Sequence, residues 1–284
     1  MSGLIDLHLH STRSDGTDSP EQLVELAASC GASAIALVDH DVLDGLGEAR
    51  SAANRLGIDF IPGTELSVEH NGTKMHMLVY FVDDEPGPLQ SKLAWLRAGR
   101  HERNDEIIAR LNGLGYTIGI DDVRRWAKGK SIGRPHIADA LIETGAFHSR
   151  DEVFERVLGD GGLAYVERIR LTATDAIELA RRSGGVPVVA HPLTIPLGAA
   201  EYERLFRELA DAGLGGIEAH HASHTRDLRE HLTELAHSLG LAATGGSDYH
   251  GDRARDFRIG VGLGDLKVPH TAIDELGAQR GERN

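Results

Sequence analysis

The sequence has one cysteine, no long apolar run and no excess of basic residues. Cys30 stands alone among 284 residues, which excludes an internal disulfide and a cysteine-rich zinc site. No run of 18 apolar residues and no signal-peptide pattern occurs, so we expect a cytoplasmic protein with no membrane partner. The formal net charge of -14 argues against a broad surface for duplex DNA. An anionic substrate would need local cations, which bound metal ions would supply.

What the chain has instead is histidine, sixteen in all. The first two, His8 and His10, follow the apolar run at residues 4–7. Residues two apart on a strand project to the same side, so these imidazoles are predicted to share one space. Neutral imidazole is the commonest metal ligand among side chains. Asp15, in the turn that follows, adds a hard oxygen ligand near the same strand end.

Apolar runs alternate with helical segments through residues 3–82 and 174–265. The runs at 34–38 and 186–190 are uninterrupted, which is typical of parallel strands buried on both faces. This alternation predicts a parallel α/β sheet. Metal-type ligands stand at the ends of successive runs, and nine are candidates: His8, His10, Asp15, His40, Glu65, His76, His191, Asp248 and His250.

These nine side chains are predicted to meet in one place. In parallel α/β barrels, functional residues gather at the C-terminal ends of the strands. Nitrogen and oxygen ligands without cysteine suit zinc, manganese or iron(II). Nine ligands are more than one ion can use, so we predict two to three divalent ions.

The alternation stops at a polar linker, residues 83–88, and charged helical sequence follows. We predict that residues 86–165 form an inserted helical subdomain that binds substrate, and that residues 1–85 and 166–284 form a metal-binding barrel. Pro135 predicts a helix start, and a helix N-terminus beside Arg134 and His136 suits a phosphate group. The insertion is rich in cations: Arg97, Arg100, Arg103, Arg110, Arg124, Arg125, Lys128, Lys130 and Arg134.

The order of motifs resembles that of the polymerase and histidinol phosphatase family, the PHP phosphoesterases. The motifs are D-L-H-x-H, S-D-G, D-H-D, G-x-E, a single H, A-H-P and S-D-x-H. The resemblance implies a distorted (β/α)7 TIM-like barrel with a trinuclear metal centre in its mouth. Carried over by motif, the nine residues divide into three ion sites, of which the first two share Glu65: His8, His10, Glu65 and Asp248; Glu65, His76 and His191; Asp15, His40 and His250.

Asp15 stands where many members of this family have histidine. That acid resembles the branch of nucleoside 3′,5′-bisphosphate phosphatases and 5′→3′ exoribonucleases, and the Gly-Arg-Pro-His motif at residues 133–136 supports the same branch. The resemblance implies that metal-activated water hydrolyses a phosphate monoester of a small nucleotide, here the 3′-phosphate of a nucleoside 3′,5′-bisphosphate. The candidate catalytic residues are Asp248, His224 and His191, and the candidate substrate contacts are Arg134, His136 and His224.

Other functions fit the same residues. Stepwise 5′→3′ digestion of short RNA is one, because the cationic insertion would follow a nucleic-acid backbone. A histidinol-phosphatase-like or amidohydrolase-type hydrolase is another, since amidohydrolases and deaminases also use H-x-H on the first barrel strand and a late aspartate. A binding module that kept the barrel without catalysis would be expected to lack some of the nine ligands, and none is missing.

Overall fold

The structure, a computed structural model, describes residues 3–127, 132–251 and 257–281. Lys128 and Lys130, two of the cations noted in the sequence of the insertion, lie outside these ranges. Among the described residues, no helix combines the length and apolarity needed to cross a membrane.

The described strands form a distorted barrel. Seven of them follow one another in the order β1-β2-β3-β4-β6-β7-β8, and the short β5 pairs with β3. The end of β1 meets the segment after β8 where Leu9 pairs in parallel with Tyr249. The strands are β1 Leu4–Leu9, β2 Ala32–Leu37, β3 Asp59–His70, β4 Thr73–Tyr80, β5 Leu171–Thr172, β6 Val186–Val189, β7 Gly216–His221 and β8 Ala242–Gly246.

The helices start and end where the local sequence directs. At the first helix, the Ser19 side chain accepts from the Gln22 backbone N–H, and the Gln22 side chain accepts from the Ser19 backbone N–H. These two reciprocal hydrogen bonds form a capping box, which fixes the start of the helix. The described helices are α1 Pro20–Ser29, α2 Leu46–Leu56, α3 Pro88–Gly113, α4 Ile120–Trp126, α5 Arg134–Glu143, α6 Arg150–Val153, α7 Ala173–Arg182, α8 Ala199–Asp211, α9 Arg226–Ser238 and α10 Thr271–Ala278.

One hairpin departs from the parallel pattern that the sequence predicts. β3 and β4 pair antiparallel across a two-residue turn, Asn71 and Gly72, whose φ angles are 49° and 79°. Asn-Gly with both φ angles positive is typical of a tight hairpin turn. β4 is also antiparallel to β6. As a result His76 lies opposite Ser67 within the hairpin, and not at the C-terminal end of a parallel strand.

Apolar side chains form three buried clusters. One includes Leu78 and Val188 from the strands, and a second packs the strands against surrounding helices such as α1 and α7. The third consists of residues from 107 to 164, including Leu111 and Phe147. Each fully buried Leu or Phe side chain stabilises the fold by about 1.5–3 kcal/mol. The second half of α3 and the segment between α3 and β5 thus share an apolar cluster of their own.

Candidate metal centre

The two histidines of β1 do point into one space. Their Nε2 atoms lie 3.1 Å apart. His10 Nε2 is 3.2 Å from Glu65 Oε2 and 3.3 Å from Asp248 Oδ1. His8 Nε2 is 3.4 Å from each of the same two oxygens. The first and last strands of the barrel and β3 therefore bring two nitrogens and two oxygens to one point, a donor set that suits a single cation.

Glu65 faces a second group with its other oxygen. Its Oε1 lies 2.9 Å from His76 Nδ1 and 3.0 Å from His191 Nε2, and these two nitrogens are 3.3 Å apart. The carboxylate thus presents Oε2 to the β1 histidines and Oε1 to His76 and His191. This is the arrangement expected of a carboxylate that bridges two ions.

A third group lies on the side of the β1–α1 turn. His10, Asp15, His40 and His250 have ligand atoms within 4.8 Å of one another. His250 Nε2 is 3.3 Å from Asp15 Oδ1, and His40 Nε2 is 3.9 Å from Asp15 Oδ2. His40 also places Nδ1 3.1 Å from Glu65 Oε2, so it connects this group to the first. The structure brings together all nine residues predicted from the strand ends.

The electrostatics of the three groups fit divalent cations. Burial opposes ionisation of Glu65, but the nearby His40 and His76 hold the pKa of that carboxyl well below its usual range. Burial also opposes the charged form of His10, yet hydrogen bonds to Asp248 and Glu65 raise its pKa to about 10. Three buried atoms make no well-aligned hydrogen bond to any residue in the described part of the chain: Glu65 Oε2, His10 Nδ1 and His40 Nδ1. Cations would satisfy this concentration of ionised oxygen and nitrogen donors.

Three residues of the site have a backbone conformation that side chains other than glycine rarely adopt. The φ angles are 55° at Asp41, 26° at His191 and 55° at Asp248. Each follows a strand, β2, β6 or β8, and the unusual turn redirects the chain at the barrel mouth. Such conformations cost about 1–3 kcal/mol each and cluster at functional sites. The strained backbone thus lies at the barrel mouth, where the ligand-type side chains are located.

Glu218 on β7 supports the ligand groups, although the sequence did not single it out. It is fully buried and accepts from His8 Nδ1 at 2.8 Å and from the His191 backbone N–H at 2.6 Å. Burial opposes its ionisation, but the charge of His8 lowers the pKa of Glu218 to about 2. The first hydrogen bond fixes the proton of His8 on Nδ1 and leaves Nε2 free as a ligand. In the sequence, the feature that indicates such a role is an acidic residue inside the apolar run at 216–219.

Three neighbouring histidines after the apolar part of β7 have different surroundings in the structure. His220 points toward α9, where its Nε2 lies 3.3 Å from Thr233 Oγ1. His221 is buried with Nε2 3.7 Å from Asp248 Oδ2, so it lies beside the first ligand group, although it is not one of the nine predicted ligands. His224 is buried 5.3 Å from the His221 ring and donates from Nδ1 to Ala219 O. Burial lowers the pKa of His224 to about 4, so its imidazole is neutral at pH 7.

The two candidate phosphate residues of the insertion have local partners. His136 is buried, and its Nδ1 accepts from the Gly133 backbone N–H at 3.1 Å, which caps α5. Arg134 donates to Leu158 O at 2.9 Å.

Other arginines lie closer to the ligand groups. Arg100 of α3 and Arg168 both donate to the carboxylate of Asp41, next to His40, and Arg168 also donates to Ser67, opposite His76. Arg168 was not identified from the sequence.

The chain is similar in sequence to several known proteins. A model of the PHP domain matches residues 6–123. A protein of Chromobacterium violaceum named 3′,5′-nucleoside bisphosphate phosphatase is 35% identical over 255 residues, or 89% of this chain and 90% of that protein. The chain belongs to the PHP domain family. Another relative, a 5′-3′ exoribonuclease of Haemophilus influenzae, is 32% identical over 88% of this chain and 91% of its own.

A solved structure has the same fold as this chain. It is described as an amidohydrolase from Chromobacterium violaceum with bound sulfate and no metal, and it is 33% identical to this chain. The two superpose with a TM-score of 0.85, over 97% of this chain and 96% of that one. The predictions of the family, the distorted barrel and a metal-dependent phosphoesterase are confirmed. The assignment of individual ligands and the number of ions stay predictions.

Proposed function

We propose that this PHP phosphoesterase removes the 3′-phosphate of nucleoside 3′,5′-bisphosphates, with two or three divalent ions of manganese, iron or zinc. The observation that supports the plural ions is the placement of Glu65, which presents one oxygen to each of two ligand groups. The relative named for this activity aligns with 89% of the chain, which supports the choice of substrate.

Individual residues of the chain have different roles in the proposed reaction. Bound divalent ions supply activation of water and neutralisation of the phosphoryl oxygens. Glu65 and Asp248 hold the ligand groups together, and Glu218 keeps His8 in the tautomer that can bind a cation. Arg168, next to the hairpin that carries Glu65, adds positive charge beside the reacting phosphate.

The leaving 3′-oxygen needs a proton, and we assign that role to His224, with His191 as the alternative. His224 Nε2 is buried, and none of the described residues forms a hydrogen bond with it, so this nitrogen can bond to a substrate. Its imidazole is neutral in the structure because burial lowers its pKa to about 4. A phosphate beside Nε2 would raise that pKa and favour the protonated, donating form. His191 is the weaker candidate because its Nε2 already contacts Glu65 Oε1 at 3.0 Å.

Substrate binding is assigned to the inserted subdomain, residues 86–165. Its apolar cluster supports α3 and α5, which carry Arg100 and Arg134. We propose that Arg134 and His136 line the phosphate-binding side of this subdomain, with His136 acting by holding the start of α5 in place.

The test is phosphate release from purified protein. After dialysis against a chelator, the protein should release no phosphate from adenosine 3′,5′-bisphosphate, and manganese should restore the activity. Equal activity with the chelator present would contradict the metal mechanism. Ammonia release without phosphate release would instead favour the amidohydrolase class.

A second candidate is 5′→3′ digestion of short RNA. It is favoured by the exoribonuclease relative and by two arginines one turn apart on α3: Arg103, which is buried, and Arg100, whose side chain is 10% exposed. A 3′-labelled oligoribonucleotide would be shortened to a ladder of products by an exonuclease. A phosphatase that accepts only mononucleotide bisphosphates would leave its length unchanged.

A further inference from the structure

Asp39 is a buried acid directly before His40, and it is not one of the nine ligand candidates. Its exposed fraction is only 2%. Its Oδ1 accepts from the Ser11 backbone N–H at 2.8 Å and from the Ser14 hydroxyl at 2.5 Å, and its Oδ2 accepts from the Ser11 hydroxyl at 2.6 Å. A buried carboxylate is stable only when its oxygens are paired. Both oxygens of Asp39 are therefore used by the turn that follows β1.

The turn that Asp39 contacts carries Asp15. Within the turn, the backbone N–H groups of Ser14 and Gly16 donate to Ser11 O at 3.1 Å and 2.9 Å. Asp39 adds bonds from outside the turn, to its first residue and to the residue before Asp15. Asp15 itself is in neither a helix nor a strand. The direction of its carboxylate therefore depends on how this turn is attached to the barrel.

The position of Asp15 matters because of the group in which it lies. Among the described residues, Asp15 is the one carboxylate of the third ligand group, whose other members are His10, His40 and His250. Ligand atoms must lie within about 0.2 Å of their usual distance from a metal ion. A turn that moves by more than this would withdraw the oxygen donor from the group.

The other members of the third ligand group are attached independently of the Asp39 side chain. The Asp39 backbone oxygen accepts from Thr64 Oγ1 at 2.8 Å and from the Glu65 backbone N–H at 3.3 Å. These bonds hold the segment that carries His40, and they persist when only the side chain is changed. The backbone N–H of His10 donates to Tyr249 O at 3.0 Å. Loss of the Asp39 carboxylate should therefore displace Asp15 selectively.

We propose that Asp39 is a positioning residue, which holds Asp15 in the third ligand group through the Ser11–Ser14 turn. Binding of a cation by this group then depends on Asp39, although Asp39 does not touch the cation. Residues that orient metal ligands in this way typically change metal affinity by about 10- to 100-fold. The inference rests on the proposed function in one respect, because it needs an ion in the third ligand group.

The experiment compares two substitutions that separate hydrogen bonding from charge. Asp39→Ala removes all three hydrogen bonds. Asp39→Asn removes the charge, but its amide oxygen can accept from the Ser11 backbone N–H and the Ser14 hydroxyl, and its NH2 can donate to the Ser11 hydroxyl. Chelator-treated proteins are titrated with manganese by calorimetry, and the metal content is then measured. Asp39→Ala should raise the Kd of one ion by about 10- to 100-fold and change the other ions less than about twofold.

The outcome for Asp39→Asn decides whether Asp39 acts by position. Asp39→Asn should stay within about threefold of wild type for every ion, because the turn keeps its bonds. Equal losses in both variants would overturn the inference, since charge alone would then explain them. Asp122→Ala is the control: Asp122 also accepts from a backbone N–H, that of Gly119 at 2.7 Å, but it lies on α4, and its loss should leave all ions unchanged.

A double-mutant cycle tests whether Asp39 acts through Asp15. Asp15→Ala should weaken the same ion, and Asp15→Ala/Asp39→Ala should bind that ion no more weakly than Asp15→Ala alone. Additive losses would overturn the inference, because a general effect on folding would add to the loss of Asp15. If Asp39→Ala does not fold, Ser14→Ala, which removes one of the three bonds, should raise that Kd by about 3- to 10-fold in wild type and not in Asp15→Ala.

The same titrations distinguish this inference from the proposed function. If wild type releases no phosphate from adenosine 3′,5′-bisphosphate, the proposed function fails, and the manganese titrations still test Asp39. If wild type releases phosphate but Asp15→Ala binds every ion as wild type does, the third ligand group holds no ion. The inference is then overturned and the phosphatase activity stands.

Discussion

Replacing Glu218 by glutamine should disable the metal centre without removing any of the nine ligand-type residues. The carboxylate accepts two hydrogen bonds, from His8 Nδ1 at 2.8 Å and from the His191 backbone N–H at 2.6 Å. A glutamine amide has one oxygen, and the backbone N–H can only donate, so the oxygen should turn to His191. The amide NH2 then faces His8 Nδ1, which must accept, and the His8 proton moves to Nε2. That nitrogen is the atom directed at Glu65 and Asp248.

The expected loss of metal affinity in Glu218→Gln follows from losing one of the four donor atoms in the first ligand group. Changes of this kind in residues that orient ligands weaken metal binding or activity by about 10- to 100-fold. This corresponds to about 1.4–2.7 kcal/mol. The assay is titration of the chelator-treated protein with manganese or zinc by calorimetry, together with phosphate release at saturating metal.

Glu275→Gln is the matched control. Glu275 also accepts from a histidine, His237 Nε2 at 3.2 Å, and from a backbone N–H, that of Ala243 at 2.9 Å, but it lies on α10 among residues that are not ligand candidates. Both variants should lose some stability in urea, by about 1–3 kcal/mol at most. Only Glu218→Gln should lose metal affinity. Unchanged affinity in Glu218→Gln, or an equal loss in the control, would refute the tautomer argument.

Three further changes test other parts of the structure. Asp248→Ala should abolish phosphate release and lower the metal content, because it removes an oxygen 3.3–3.4 Å from both β1 histidines; retained activity at normal metal content would contradict its role. Arg134→Ala should raise KM and leave metal content near normal, since its contacts are within the insertion, and metal analysis of the purified variant checks this. Leu111→Ala should destabilise the protein by about 2–5 kcal/mol in urea unfolding, because Leu111 is fully buried in the third apolar cluster; a change below about 1 kcal/mol would show that this cluster contributes little.

Local patterns in the sequence were enough to predict much of the site. The two-residue spacing of His8 and His10 predicts a shared direction, and their Nε2 atoms are 3.1 Å apart. Residues as distant in sequence as Asp15 and His250 are predicted to lie together because parallel strands end at one edge of a barrel. These predictions depend only on periodicity and on the order of elements, both of which are readable from one sequence.

The residues that the sequence did not reveal act through contacts between distant segments. Glu218 orients His8 from 210 positions away along the chain. Arg168 reaches Asp41 across 127 positions. Nothing in the local sequence of an isolated glutamate or arginine specifies such a partner, because the pairing depends on how the barrel closes and on where the insertion returns to it. Aspartate is enriched among the non-glycine residues that adopt positive φ, but such residues are uncommon, so the local sequence does not predict the positive φ angles at Asp41 and Asp248.

The antiparallel hairpin gives the candidate metal centre its second group of ligand-type side chains. In a parallel barrel each strand offers side chains mainly at its C-terminal end. Here β3 continues past Glu65 to His70, and β4 returns antiparallel, so that His76 lies within reach of the same carboxylate. Glu65 can therefore face the β1 histidines with one oxygen and His76 with the other. Arg168 donates a hydrogen bond to Ser67 of the same hairpin, which places the positive charge of Arg168 next to the ligand groups.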